Sequence, residues 1–172
     1  MIINTTTIIK VTTFLILFFV SITIQGKGSQ KIIKHKKEVT RKETSLIDRL
    51  LYKAKTYIGT PYRRSGKSPR GFDCSGFTSW IFKHHDVKLH CSSSGQYQQG
   101  RKVKKQNINP GDLVFFSGSR GGRHIGHVGI VYKVHSAGQF SFIHSSTHGG
   151  VKISSIDDRY YASRFKGARR VL

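Results

Sequence analysis

Three successive patterns of hydrophobic residues divide the chain, and the first lies at its N-terminus. Residues 11–24 form a nearly continuous apolar run, VTTFLILFFVSITI, which follows a positive charge at Lys10. A positive residue before a short apolar run is typical of a signal peptide, whereas a membrane-spanning helix needs about 20 apolar residues. We therefore predict a signal peptide at residues 1–26 and export to the periplasm or cell envelope. Membrane contact through an uncleaved N-terminus is the alternative.

The second pattern has the period of an α-helix. Apolar side chains recur on one helical face from Leu46 to Ile58, after a potential capping residue at Ser45, and Gly59 ends the segment. A second helix is predicted to follow Asp73, because Asp is a favourable N-cap and the apolar residues after it keep helical spacing. The first of these helices is amphipathic and should pack against the rest of the domain.

The third pattern is that of β-strands and begins at Asp112. Clusters of Gly, Ser and Asp separate five predicted strands, at residues 113–116, 126–134, 139–145, 151–156 and 164–172. Helices that precede a run of strands indicate an α+β domain with an antiparallel sheet. We place this single domain at residues 45–172. Residues 27–44 are rich in Lys and poor in apolar groups, which predicts a basic flexible tether.

The charge of the chain is strongly positive, with a formal net value of +22 over 172 residues. Such a surface attracts polyanions through long-range electrostatics. Together with the predicted export, it favours anionic envelope polymers and the carboxylates of peptidoglycan stem peptides as partners, and nucleic acid is not expected.

The two cysteines of the chain, Cys74 and Cys91, leave two interpretations open. An exported protein commonly joins such a pair in a disulfide. Alternatively, Cys74 is a reactive thiol, because a helix N-terminus lowers the pKa of a thiol from its usual value of about 8.5. A nucleophile of this kind also needs a base and a group that orients the base. Cys91 is assigned no role.

Histidines on the predicted strands are the candidate bases. Alternation along residues 126–132 places His127 opposite the apolar face of its strand, on the more accessible side. If the turn to the next strand has an even number of residues, such as 135–138, His127 and His144 share a face as diagonal neighbours, and an odd turn separates them. Cys74, His127 and His144 would then form a nucleophile, a base and an orienting group.

Metal binding is not expected from the histidine spacing. His124 and His127 are three residues apart on a strand and therefore point in opposite directions. The ligand spacings of structural and helical zinc sites are also missing. We expect neither a metal nor another cofactor.

Five motifs in order resemble the NlpC/P60 family of papain-like cell-wall peptidases, with particular similarity to the single-domain murein endopeptidases of Gram-negative envelopes. The resemblance covers residues 45–172 and rests on GTPYR at 59–63, DCSGF at 73–77, PGDLVFF at 110–116, HVGIV at 127–131 and GARRV at 167–171.

The resemblance implies a papain-like α+β fold and a set of roles. Cys74 matches the family's nucleophile, His127 its base and His144 its third polar residue. Tyr62, Asp73 and Ser75 match positions that line the substrate cleft. The backbone N–H of Cys74 would contribute to an oxyanion hole.

The resulting expectation is a monomeric peptidoglycan endopeptidase that acts through a cysteine acyl-enzyme. The favoured bond is the cross-link between a D-amino acid and a diamino acid, and the alternative is the bond between γ-D-glutamate and the diamino acid. Two hypotheses from other classes stay open: a non-catalytic basic module that binds the cell wall, and acyl transfer to a non-peptide acceptor.

Overall fold

The computed structural model describes residues 46–118 and 121–172. The predicted signal peptide and tether, at residues 1–26 and 27–44, lie outside the described residues, as does the predicted cap at Ser45. Within the part that is described, no helix has both the length and the apolar character needed to cross a membrane.

The first described helix, α1, covers residues 46–55 and is followed by turns through residue 59. Leu50, Leu51 and Ala54 are buried in the core, as the apolar pattern predicts. Ile58 was wrongly included in that face: its side chain is 48% exposed, because the helix has already ended before it.

A short hairpin leads into the second helix. Strands β1 (Lys67–Ser68) and β2 (Gly71–Phe72) pair antiparallel, and α2 (Cys74–Lys83) begins two residues after Phe72. The Asp73 side chain accepts a hydrogen bond of 2.6 Å from the Gly76 N–H, so Asp73 is the N-cap that the sequence predicts.

The remaining elements build a six-stranded sheet with two further short helices. They are α3 (Ser93–Gln96), β3 (Arg101–Val103), a 3₁₀ turn (Lys105–Asn107), β4 (Leu113–Ser117), β5 (Ile125–Ser136), β6 (Gln139–Ser146), β7 (Gly150–Ser155), α4 (Arg159–Ala162) and β8 (Phe165–Arg170). The strand order is β3-β8-β4-β5-β6-β7, and each neighbouring pair is antiparallel. The predicted α+β class is therefore confirmed.

Both faces of this sheet are covered. Phe77 and Ile81 of α2 pack with Val128 and Ile130 of β5 in one hydrophobic cluster. Val131, from the opposite face of the same strand, packs in a second cluster with residues of β4, β6 and α4. His127 is partly exposed, as predicted from its place opposite the apolar face, but the same face is covered farther along the strand, where the second cluster packs on Val131.

An ion pair joins the start of β4 to the end of β8. The Arg170 guanidinium donates to both carboxylate oxygens of Asp112, at 2.6 Å from Nε and 2.7 Å from Nη2. Asp112 is 1% exposed and also accepts from the Asn109 N–H at 2.8 Å. Bidentate Arg–carboxylate pairs are both strong and directional, so this contact sets how the two strands meet.

The β5–β6 hairpin has a two-residue turn, at residues 137–138, and two one-residue register shifts. The shifts lie between Val131 and Lys133 and between Val134 and Ser136. Because each shift alone would exchange the two faces of a strand, two of them restore the original alternation. Beyond the shifts Ile130 pairs with Ile143, which is the register of the predicted even turn at 135–138.

Candidate active site

One cavity of about 440 Å³ is lined by three of the predicted site residues, Tyr62, Cys74 and His127. Cys74 is brought there by the start of α2. Tyr62 forms an isolated parallel bridge with Phe72, and the Arg63 N–H donates to the Phe72 carbonyl at 3.0 Å. This backbone pairing holds Tyr62 alongside the segment that carries the cysteine.

The Cys74 thiol lies against the beginning of β5. Backbone N–H groups of Val128, Ser75 and Cys74 itself stabilise its ionised form. Val128 immediately follows His127, so the strand that supplies the histidine also contacts the sulfur. Cys74 is a free thiol, as is the exposed Cys91, which rules out the disulfide interpretation.

The two strand histidines are directly joined. His127 Nε2 lies 2.9 Å from His144 Nδ1, and the rings meet edge to face with centroids 4.9 Å apart. His144 is fully buried, whereas His127 is partly exposed and lines the cavity. The predicted diagonal relationship between the two residues is confirmed by the register of β5 and β6.

The electrostatics of the thiol differ from the prediction. Burial, followed by the neighbouring Asp73 carboxylate, raises the pKa of Cys74 to about 11. The backbone N–H groups act in the opposite direction but are outweighed. The expected lowering by the helix N-terminus is therefore wrong for this structure, because sequence position does not reveal how deeply the sulfur is enclosed.

The histidine pair is also held in its neutral form. Burial lowers the pKa of His127 to about 4. Burial, the His127 ring and the Lys152 ammonium lower the pKa of His144 further. Both directions favour the neutral thiol and the neutral imidazole, so a proton has to pass from the thiol to a base for the sulfur to act as a nucleophile.

Tyr62 lines the same cavity as Cys74 and His127. Burial is the main cause that raises the pKa of its hydroxyl, and the nearby Cys74 and Asp73 add to it. The phenol therefore stays protonated and can donate a hydrogen bond towards a group bound in the cavity.

Asp73 and Ser75 are not among the cavity-lining residues. The Asp73 carboxylate caps α2, and the buried Ser75 hydroxyl bonds to Asp73 at 3.2 Å and to the Cys91 carbonyl at 3.0 Å. These contacts organise the backbone around Cys74. Their assignment as substrate contacts stays a prediction.

Several residues of the site were missed by sequence reasoning. The cavity is also lined by His148, Lys152, Asp158 and Tyr161, and Ser154 contacts His144 from below. Nothing in their local sequence distinguishes them, because they reach the site through the pairing of β6 with β7 and the fold of α4.

The two histidines considered as metal ligands have different surroundings. His124 is exposed and His127 is engaged with His144. Across residues 46–118 and 121–172, no cluster of three or more His, Cys, Asp or Glu side chains has the arrangement of a metal site.

Comparison with known proteins adds family information to this geometry. The model of the NlpC/P60 family matches residues 59–170. The "Probable endopeptidase NlpC homolog" of Haemophilus influenzae is 34% identical over 148 residues, which cover 85% of this chain and 75% of that protein.

Two further relatives have more specific names. The "Murein DD-endopeptidase MepS/Murein LD-carboxypeptidase" of Escherichia coli is 38% identical over 115 residues, covering 66% of this chain and 57% of the relative. The "Gamma-D-glutamyl-L-lysine dipeptidyl-peptidase" of Bacillus cereus is 35% identical over 130 residues, covering 75% and 38%. This chain therefore matches little more than half of the first of these proteins and about two fifths of the second.

Solved structures agree on the fold. An NlpC/P60 family protein from Bacillus cereus superimposes with a TM-score of 0.67 at 34% identity, over 73% of this chain and 40% of that one. The NlpC/p60 domain of the peptidoglycan hydrolase SagA gives a TM-score of 0.60 at 28% identity, over 72% of this chain and 97% of that domain.

Proposed function

This chain belongs to the NlpC/P60 family, and on that premise we propose that it hydrolyses amide bonds in peptidoglycan stem peptides, or in the cross-links between them, through a cysteine acyl-enzyme. The observation that carries the proposal is the cavity that both Cys74 and His127 line, with His127 Nε2 joined to His144 Nδ1 at 2.9 Å.

The chemistry follows from the neutral state of the pair. As substrate approaches, His127 accepts the thiol proton while the Cys74 sulfur attacks the amide carbonyl. The Cys74 backbone N–H, at the start of α2, stabilises the oxyanion that develops. The imidazolium then returns the proton to the leaving amine, and an acyl-enzyme remains. Water, deprotonated by His127, attacks the acyl-enzyme and releases the acid and the free thiol.

The cavity also has charges that suit a stem peptide. Lys152 and Asp158 both line it, so a carboxylate and an ammonium group can each find an opposite charge. A diamino acid in a stem peptide supplies both kinds of group near the bond to be cleaved. Tyr62 adds a hydroxyl donor on the same wall.

Two bonds are candidates for cleavage. We place the cross-link between a D-amino acid and a diamino acid first, since a murein DD-endopeptidase is 38% identical to this chain. The bond between γ-D-glutamate and the diamino acid comes second, on the likeness to the γ-D-glutamyl-L-lysine peptidase.

The setting we propose is the cell envelope. The relatives are cell-wall hydrolases, and a signal peptide at residues 1–26 would export the chain to their compartment. The net charge of +22 would hold the enzyme near anionic envelope polymers between encounters with stem peptides.

The test is digestion of purified cross-linked peptidoglycan by the full chain, followed by chromatography and mass analysis of the fragments. Cys74→Ala should abolish the products, and Cys91→Ala, which removes an exposed thiol away from the cavity, should not. Loss of cross-linked dimers identifies the first bond, and shortened stems identify the second. Wall binding without any Cys74-dependent product would overturn the proposal in favour of a non-catalytic module, and products extended by an added acceptor would indicate acyl transfer.

A further inference from the structure

The nitrogen of His144 that faces away from His127 is enclosed by two hydroxyl groups. His144 Nε2 lies 3.0 Å from the Ser154 hydroxyl oxygen and 3.4 Å from the Tyr161 hydroxyl oxygen. His144 is fully buried and Tyr161 is 8% exposed, so this nitrogen depends on these two groups for its hydrogen bond.

The fold places each hydroxyl independently. Ser154 on β7 pairs with Phe142, two residues before His144, and is therefore a diagonal neighbour of His144 on the same face of the sheet. Tyr161 comes from α4, whose N-terminus is capped by Asp158. Its ring lies edge-on to His144 with centroids 5.4 Å apart, so the phenol has little freedom to turn away.

The hydroxyls continue as a chain. Burial raises the pKa of the Tyr161 hydroxyl, and hydrogen bonding by the Ser154 and Ser146 side chains acts in the opposite direction, so both serines lie near the phenol. The Ser146 hydroxyl oxygen in turn accepts the His148 backbone N–H at 3.2 Å. A connected row of four polar groups therefore runs from His144 to Ser146 within the protein.

The direction in which hydrogen bonds are donated along this row decides whether His127 can act as a base. A neutral imidazole has one N–H and one acceptor nitrogen. If His144 carries its proton on Nε2 and donates to Ser154 and Tyr161, its Nδ1 accepts from His127 Nε2–H, and His127 Nδ1 keeps a free lone pair. The opposite direction would leave His127 protonated on Nδ1 and unable to take the thiol proton.

We propose that Ser154 and Tyr161 are positioning residues, which accept the Nε2–H of His144 and thereby fix the proton of His127 on Nε2. The catalytic role of this assignment rests on the proposed function. The positions of the protons on the two rings can be measured without any substrate.

The experiment compares Ser154→Ala, Tyr161→Phe and the double variant with the unmodified full chain. Ser154→Thr restores a hydroxyl on a residue suited to a strand. Ser155→Ala is the matched control, because the adjacent Ser155 bonds to Asp157 and not to His144. Tyr97→Phe is the control for the phenol, since the Tyr97 hydroxyl donates to the Lys166 carbonyl elsewhere in the fold. Melting temperatures identify any variant that fails to fold.

The first readout is the ¹⁵N chemical shifts of histidine-labelled protein at pH 7.5, with the His127 and His144 signals assigned through their Gln variants. We expect both rings to carry the proton on Nε2 in the unmodified chain and the two controls. The double variant should show a mixture of forms at His144 and His127. A proton on Nδ1 of His144, or an unchanged ring state in the double variant, would overturn the assignment.

The second readout is peptidoglycan hydrolysis. We expect kcat to fall by about tenfold in each single variant and by about 100-fold in the double variant, with KM little changed, because the base is lost in part of the population. Ser154→Thr should recover most of the loss. Unchanged kcat in the double variant would also overturn the role. If the unmodified chain shows no Cys74-dependent activity, the proposed function fails, and the ring protonation still decides this assignment.

Discussion

Burial and the neighbouring Asp73 carboxylate together raise the pKa of the Cys74 thiol, although Asp73 is also the residue that caps the helix on which Cys74 lies. One side chain thus stabilises the backbone of the site and disfavours the thiolate beside it. The two effects can be separated experimentally, because Asn caps a helix about as well as Asp does and has no charge.

The first prediction is that Asp73→Asn makes the thiol more reactive while leaving α2 intact. Removing the negative charge lowers the pKa of Cys74, so alkylation by iodoacetamide at pH 8 should accelerate by about threefold or more. The assay needs a Cys91→Ala background, since Cys91 is exposed. Asp86→Asn, beyond the other end of α2, should leave the rate unchanged. A slower reaction in Asp73→Asn would contradict this electrostatic role.

The second prediction concerns the dependence of stability on pH. Burial lowers the pKa of His127 to about 4. Below about pH 6.5, the unfolded chain therefore binds more protons than the folded one. The free energy of unfolding should fall as the pH drops from 6.5 towards 4. Burial raises the pKa of Cys74 from its usual value of about 8.5 to about 11, so stability should also fall as the pH rises through that range.

Thermal melting across pH 4–11 measures both effects. His127→Gln should make the acid side of the profile less steep, with the rest due to His144, and Cys74→Ala should make the alkaline side less steep. If both variants follow the profile of the unmodified chain, titration of these two groups does not govern stability.

The third prediction is that Gly129 is needed for the histidine pair. A Cβ at this position would lie 2.7 Å from Phe142 Cδ2 and 3.2 Å from His144 Cβ. Gly129→Ala should therefore cost about 1–3 kcal/mol through overpacking, and it should reduce activity by moving His144. Gly118→Ala is the stability control, because its Cβ would meet its nearest neighbour at 3.8 Å. A Gly129→Ala protein as stable as the original would contradict the prediction, because the strands would then accommodate the added methyl group.

The fourth prediction is that removing Asp112 from the Asp112–Arg170 pair strongly destabilises the fold. Asp112→Ala leaves a guanidinium that is only 20% exposed without its carboxylate partner, and we expect a loss of about 3 kcal/mol in the free energy of unfolding. Denaturation in urea measures it. Asp157→Ala, which removes an exposed carboxylate, should cost far less. Equal losses in the two variants would contradict the prediction.

The fifth prediction tests Lys152 as a carboxylate-binding residue. Lys152→Gln should raise KM for stem peptides whose diamino acid has a free side-chain carboxylate, by about tenfold. The same peptides with that carboxylate amidated should be cleaved about equally by both proteins. An equal loss of activity on both substrates would instead indicate that Lys152 acts through the pKa of His144, which its ammonium group helps to lower.

Sequence reasoning identified the parts of the fold that have long periodic patterns. Helices α1 and α2 and the five strands from β4 to β8 were found because their apolar residues repeat over a sufficient length. The strands β1, β2 and β3 have two or three residues each, and α3 and α4 have four, which is too short for any period to appear.

The active site was likewise predicted only in part from the sequence. Cys74 and His127 lie within recognisable motifs, and strand alternation together with an even turn brought His144 to the face of His127. Ser154 and Tyr161 join His144 only through the pairing of β7 and the position of α4. The raised pKa of Cys74 depends on burial in three dimensions, which a helix start in a sequence does not reveal.

The paired register shifts of the β5–β6 hairpin separate two kinds of length change. Within the paired strands, each one-residue shift exchanges the two faces, so a single residue gained or lost between His127 and His144 by the strands themselves would move one histidine to the opposite face. At the 137–138 turn, an added residue can loop out and leave the register of Ile130 with Ile143 unchanged. The tip of this hairpin is therefore the place for insertions such as labels or tags, whereas the strands on either side of it have to keep their length.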